Sequence, residues 1–204
     1  MITIKSPHMG LNDERAPVFV QMWNTWKVKR HEGRHHIVHW PTRVARDAPG
    51  GKLSEIVISC HGAPGYLQLG RQGFGLADVH LFHAWRGMVD KVWIRACLVG
   101  RIVGPGTGAE GDGAFISALS LNGDGHTFCT ELAKALRCYL VVGTELQTSG
   151  RYSATNPVPY GQLDAYEGLV VSYHPDGTIG WSRRYASVSN ANPLTSTANN
   201  PNSE

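Results

Sequence analysis

Residues 55–62 read EIVISCHG, and residues 91–97 read KVWIRAC. Each block is a short apolar run rich in β-branched residues, which is typical of a strand buried in a parallel sheet. The first run leads into His61, and the second ends at Cys97. A third run of the same kind, YLVVGTE, covers residues 139–145. These runs alternate with helical patterns and predict an α/β fold on a mostly parallel sheet with helices on both faces.

Further elements are predicted around these strands. The spacing of apolar residues predicts helices over about 78–88 and 127–138. Residues 168–185 predict a C-terminal β-hairpin, because two strand-like runs flank a Pro-Asp-Gly turn. The apolar run PVFVQMW at 17–23 predicts a first strand.

The length of 204 residues and the 42% hydrophobic content fit one domain over residues 1–186. Residues 187–204 are rich in Asn, Ser, Thr and Pro and predict a disordered tail. The net charge of +3 is too small to indicate a nucleic-acid partner. The four cysteines form no C-x-x-C pair, so the pattern does not imply disulfides.

No apolar stretch approaches the roughly 20 residues that a membrane span needs. The N-terminal residues also lack the apolar core of a signal peptide. We therefore expect a chain that is cytoplasmic as synthesised, with secretion without a cleaved signal as the alternative.

His61 and Cys97 are candidates for a catalytic pair. Reactive residues of α/β sheets collect beyond the carboxyl ends of the strands, and adjacent strands lie only about 4.8 Å apart. A cysteine nucleophile needs a nearby base, which is usually histidine. The main-chain N–H groups of Gly62 and Cys97 are candidate donors to an oxyanion, because a glycine lets a substrate carbonyl approach closely.

An apolar strand ending in His-Gly, followed by one ending in Ala-Cys, resembles the caspase-like cysteine peptidases. The closer resemblance is to a caspase-like domain of large bacterial surface and secreted proteins. That domain continues as His-Gly-x-Pro-Gly-x-Leu-Gln-Leu-Gly, and residues 61–70 here read HGAPGYLQLG. Its later helix has the form F-x-x-x-L-A-x-x-L, and residues 128–136 read FCTELAKAL. The resemblance covers residues 55–145.

The resemblance implies a three-layer caspase-like sandwich and a cysteine endopeptidase, such as a bacterial toxin or effector. In that interpretation His61 is the base, Cys97 the nucleophile and the Gly62 amide an oxyanion donor. The implied partners are a protein or peptide substrate and a cognate inhibitor or immunity protein. No cofactor or metal is implied.

Substrate preference in such enzymes depends on charge beside the catalytic pair. An acidic residue would favour Arg or Lys in the substrate, and a basic residue would favour Asp. The candidates are Arg95, before Cys97, and Glu110 and Asp112, in the loop after it. This glycine-rich loop, residues 100–113, is also a candidate lid or self-cleavage segment, with an ordinary exposed loop as the alternative.

Two other classes of function stay open. The first is a module of the same fold that binds a partner without catalysis. The second is a zinc hydrolase, because residues 31–35 read HEGRH and match the H-E-x-x-H pattern. Gly33 weakens the helix that this pattern needs, and Arg34 adds a positive charge beside the cation site. A pair formed by Cys60 and a distant histidine, His126 or His174, has no motif to support it.

Overall fold

A computed structural model describes residues 1–101, 125–147 and 152–185 of the chain. The two α-helices are α1 (Arg34–Asp47) and α2 (Gly125–Leu136), and 3-10 helices cover Pro49–Gly51 and Leu76–Trp85. The strands are, in chain order, β1 (Ile2–Thr3), β2 (His8–Asp13), β3 (Asn24–Val28), β4 (Leu53–Ser59), β5 (His61–Ala63), β6 (Tyr66–Gln68), β7 (Val89–Arg95), β8 (Tyr139–Gly143), β9 (Gln162–Leu163), β10 (Gly168–Tyr173) and β11 (Ile179–Tyr185).

The main sheet has seven strands in the order β11-β10-β8-β7-β4-β2-β3. The five strands β3, β2, β4, β7 and β8 are parallel to one another, and β10 and β11 add an antiparallel edge. The prediction of a mostly parallel α/β sheet is therefore confirmed, and so is the C-terminal hairpin. The central strands are buried on both faces, which explains their near-continuous apolar runs.

One face of the sheet carries the helices. Ile56, Ile58, Val92 and Ile94 point to this face and form one core with α1, α2 and the 3-10 helix Leu76–Trp85. The predicted helix over 127–138 corresponds to α2, whereas the one predicted over 78–88 is this 3-10 helix.

Extended segments, rather than helices, cover the other face in the described residues. Val57 and Trp93 face this side and pack with side chains from the segments 16–22 and 152–166. The expectation of helices on both faces is therefore not met in the part of the chain that the structure describes. The three layers there are helices, sheet and extended segments.

The predicted strand at 17–23 is wrong, although its apolar side chains are buried. Val18, Val20 and Met22 pack on the sheet face, but their segment pairs with no strand. Asn12 takes the place of a strand partner: its side chain accepts a hydrogen bond from the Val20 N–H and donates one to the Val20 carbonyl oxygen. Alternation of apolar residues indicated the burial but not how the backbone groups are satisfied.

No helix in the described part of the chain is both long and apolar enough to pass through a membrane. The predicted tail, residues 187–204, lies outside the described residues.

The buried carboxylate of Glu55 gives the fold a testable pH dependence. It accepts hydrogen bonds from the Lys5 N–H (2.9 Å) and the Trp93 indole N–H (3.0 Å). Burial nevertheless raises the pKa of Glu55, so the stability it confers is present at acidic pH and is lost as pH rises through the folded-state pKa.

We therefore predict that Glu55→Gln, which keeps an acceptor oxygen and removes the charge, gains stability relative to wild type as pH rises from about 4 to about 7. Denaturant unfolding at both pH values measures the difference. A difference that is independent of pH, or that falls as pH rises, would contradict the prediction.

Candidate active site

The parallel pairing of β4 and β7 places His61 and Cys97 near each other. Its last register pair is Ser59 with Arg95, and the Cys60 N–H still donates to the Arg95 carbonyl oxygen at 3.3 Å. His61 and Cys97 each follow this register pair by two residues. Both therefore leave the same edge of the sheet on neighbouring strands.

Gly62 lies directly against the backbone of Cys97. A Cβ atom built on Gly62 would lie 2.6 Å from the Cys97 carbonyl oxygen and 2.5 Å from a methyl group of Val99. These separations are shorter than any real side chain tolerates, so only glycine permits this approach. The His-Gly and Ala-Cys blocks, separate in sequence, are therefore in contact in the fold.

The N–H of Gly62 points away from the β5–β6 hairpin. Gly62 is opposite Leu67 in the hairpin, but the N–H and the carbonyl of Leu67 are both bonded to Phe74, at 2.9 Å each. Gly62 and Leu67 are thus a pair without mutual hydrogen bonds, and the Gly62 amide is directed outward from the hairpin.

The backbone turns sharply after Cys97. Leu98 has φ of +62°, a left-handed conformation that costs a leucine roughly 1–2 kcal/mol. The turn is held by the Leu98 N–H, which donates to the Glu145 carbonyl oxygen at 3.1 Å. Strain of this kind is common where a fold presents a reactive side chain.

Cys97 is distinct among the four cysteines. It is partly exposed, whereas Cys60, Cys129 and Cys138 are buried. Burial raises the pKa of the Cys60 thiol and raises the pKa of Cys138 to about 12, which keeps both protonated and unreactive. His61, at the end of the neighbouring strand, is exposed.

Arg95 does not extend into an open pocket. Its side chain is only 3% exposed and forms a two-point ion pair with Asp164, with N–O distances of 2.9 and 2.7 Å. Arg95 therefore lacks the exposure expected of a residue that reads substrate charge. The other two candidates for the pocket, Glu110 and Asp112, lie outside the described residues, as does most of the loop 100–113.

The HEGRH segment does not form one helix. Gly33 is extended, and α1 begins at Arg34, so His31 and Glu32 precede the helix that contains His35. The Glu32 carbonyl oxygen instead accepts a hydrogen bond from the Arg71 N–H at 2.9 Å. The two histidines are consequently not on one helical face, which is the geometry that the zinc motif needs. Across the described ranges, no group of three or more His, Cys, Asp or Glu side chains is arranged to hold a metal ion.

Gln147 and Asp164 are site residues that sequence analysis missed. The Gln147 N–H donates to the Cys97 sulfur at 3.3 Å, and Asp164 binds Arg95. The position of Gln147 had a usable signal, because it follows β8, the strand next to β7, at the same edge of the sheet. Asp164 comes from the segment before β10, which has no recognisable pattern.

Comparisons with protein-family models, with curated proteins and with solved structures find nothing that matches this chain.

We predict that Gly62→Ala destabilises the fold by roughly 1–3 kcal/mol, because the added methyl group overlaps the Cys97 carbonyl oxygen. Chemical denaturation measures the change. Gly33→Ala is the control, since a Cβ there meets no atom within 4 Å. A loss at Gly62 no larger than that at Gly33 would show that the two blocks are not in close contact.

Proposed function

We propose that the chain is a caspase-like cysteine peptidase in which Cys97 is the nucleophile and His61 the general base. The observation that carries the proposal is the delivery of an exposed imidazole and the single partly exposed thiol to one edge of the sheet by adjacent parallel strands. The resemblance of residues 55–145 to caspase-like domains adds independent support.

The proposed reaction has two stages. His61 takes the Cys97 thiol proton, and the thiolate attacks the carbonyl carbon of a peptide bond. The oxyanion that forms lies against the outward-directed N–H of Gly62, in a position to accept its hydrogen bond. His61 then protonates the leaving amine, so the C–N bond breaks and an acyl-enzyme remains. Water, deprotonated by His61, hydrolyses the thioester and restores the thiol.

The difference in burial between Cys60 and Cys97 favours Cys97 as the nucleophile. Cys60 is adjacent to His61 in sequence but is enclosed in the core, with a pKa raised by burial. A thiol in that environment neither ionises readily nor reaches a peptide substrate. The proposal therefore depends on one cysteine, and substitution can test it.

We predict that Cys97→Ala and His61→Ala each lower peptide hydrolysis by about 10³-fold or more, since nucleophile and base act as a unit. A library of fluorogenic peptides that varies the residue before the cleaved bond supplies substrates of both charges. Cys138→Ala and His80→Ala are matched controls, with a buried thiol and an exposed imidazole outside the site.

Hydrolysis that survives Cys97→Ala, or that is lost equally in Cys138→Ala, would refute the assignment. Absence of hydrolysis across the whole library in wild type would favour a binding module of the same fold.

A further inference from the structure

We propose that Arg95 and Asp164 are positioning residues for Cys97: their buried ion pair helps to fix Gln147, whose main-chain N–H stabilises the thiolate that forms when Cys97 loses its proton. The inference rests on the proposed function for its catalytic meaning. The effect of this network on the ionisation of the Cys97 thiol can be measured without any peptidase activity.

The ion pair between Arg95 and Asp164 holds both side chains in one orientation. The Arg95 Nε and Nη2 atoms donate to the two carboxylate oxygens of Asp164 at 2.9 and 2.7 Å, a planar two-point contact. Arg95 ends β7, and Asp164 belongs to the segment that covers the helix-free face of the sheet. The pair therefore ties the strand that carries Cys97 to the extended layer.

Both polar atoms of the Gln147 side chain make two hydrogen bonds each. Its Oε1 atom accepts from the Glu167 N–H at 3.0 Å and from Arg95 Nη1 at 3.4 Å. Its Nε2 atom donates to the carbonyl oxygens of Glu145 and Glu167, at 3.1 and 2.8 Å. A side chain that is satisfied in this way and buried fixes the main chain to which it is attached.

The Gln147 main chain contacts the Cys97 sulfur directly. Its N–H donates to the sulfur at 3.3 Å, and the thiol donates to its carbonyl oxygen at 3.7 Å. The longer contact exists only while the thiol keeps its proton. The shorter one strengthens when the sulfur becomes negative, because hydrogen bonds to charged acceptors are stronger than those to neutral ones. The fixed N–H thus favours the thiolate.

Other charges also act on Cys97. In the described ranges, the titratable or charged groups on the elements around it are Cys60, His61, Arg95, Arg101, Glu145, Asp164, Tyr166 and Glu167. Arg95 is close enough for its positive charge and a Cys97 thiolate to attract each other. A test must therefore separate the held N–H from this direct charge effect.

Two variants make that separation in the full-length chain. Gln147→Ala removes the anchoring side chain and leaves the ion pair intact. Arg95→Met combined with Asp164→Leu removes both charges together, because breaking only one side of a buried pair risks unfolding. Arg184→Met is the control: it breaks the nearby surface pair with Glu145, whose N–O distance is 2.6 Å.

The measurement is the rate of Cys97 alkylation by iodoacetamide against pH, followed by mass spectrometry on protein whose folding is checked by circular dichroism. We expect both variants to react roughly 3-fold to 10-fold more slowly than wild type near neutral pH. We also expect their rates to converge with wild type at high pH, where every Cys97 is ionised. Arg184→Met should follow the wild-type curve.

If the alkylation rate of a variant reaches a lower plateau at high pH but has the wild-type midpoint, the network affects only how easily the reagent reaches the thiol. That result would overturn the inference. Unchanged curves in both variants would do the same. A midpoint shift in the double variant alone would assign the effect to the charges and remove the role given to Gln147. Shifted midpoints in a protein that hydrolyses no peptide would support the inference and refute the proposed function.

Discussion

The parallel pairing of β4 with β7 is the constraint on which the candidate site depends. Both strands are central in the sheet and buried on both faces, so a one-residue slip in register would move each side chain into the opposite core, where its shape does not fit. Because the register is fixed at Ser59 and Arg95, the positions of His61 and Cys97 beyond the strand ends are fixed as well. The geometry of the site is thus a consequence of core packing.

The two faces of the sheet contribute differently to the site. The helical face supplies most of the apolar core, which holds the strands in place. The opposite face is covered by extended segments, and one of them supplies Asp164, the partner of Arg95. This layer therefore connects to the candidate site through an ion pair, and the first residue of α2 connects to the turn after Cys97 through a hydrogen bond from the Gly125 N–H to the Arg101 carbonyl oxygen.

The sequence predicted the parts of the site that depend on periodicity and on strand ends. Short β-branched runs identified β4, β7 and β8, and the rule that chemistry collects at carboxyl ends selected His61 and Cys97. Gly62 was selected because a glycine lets a substrate carbonyl approach closely, and the structure adds a separate reason for glycine, its contact with the Cys97 carbonyl oxygen. These features are local or follow from the sheet itself.

Other features depend on contacts distant in sequence and could not be predicted from local patterns. The segment 17–23 alternates like a strand, yet its backbone is bonded by the Asn12 side chain and by the main-chain N–H groups of Val158 and Gly161. Arg95 was predicted to read substrate charge, but its side chain is bound by Asp164, 69 positions away in sequence. Gln147 carries no motif, because its main-chain N–H is what contacts the Cys97 sulfur.

The most direct test of the account is whether the His61 ring controls the ionisation of the Cys97 thiol. The ultraviolet absorbance of the thiolate, taken as the difference between wild type and Cys97→Ala, reports that ionisation against pH. The account predicts that His61→Ala moves the transition to higher pH, while His80→Ala leaves it in place. A transition that is identical with and without the His61 ring would contradict the proposal that His61 acts on the Cys97 thiol.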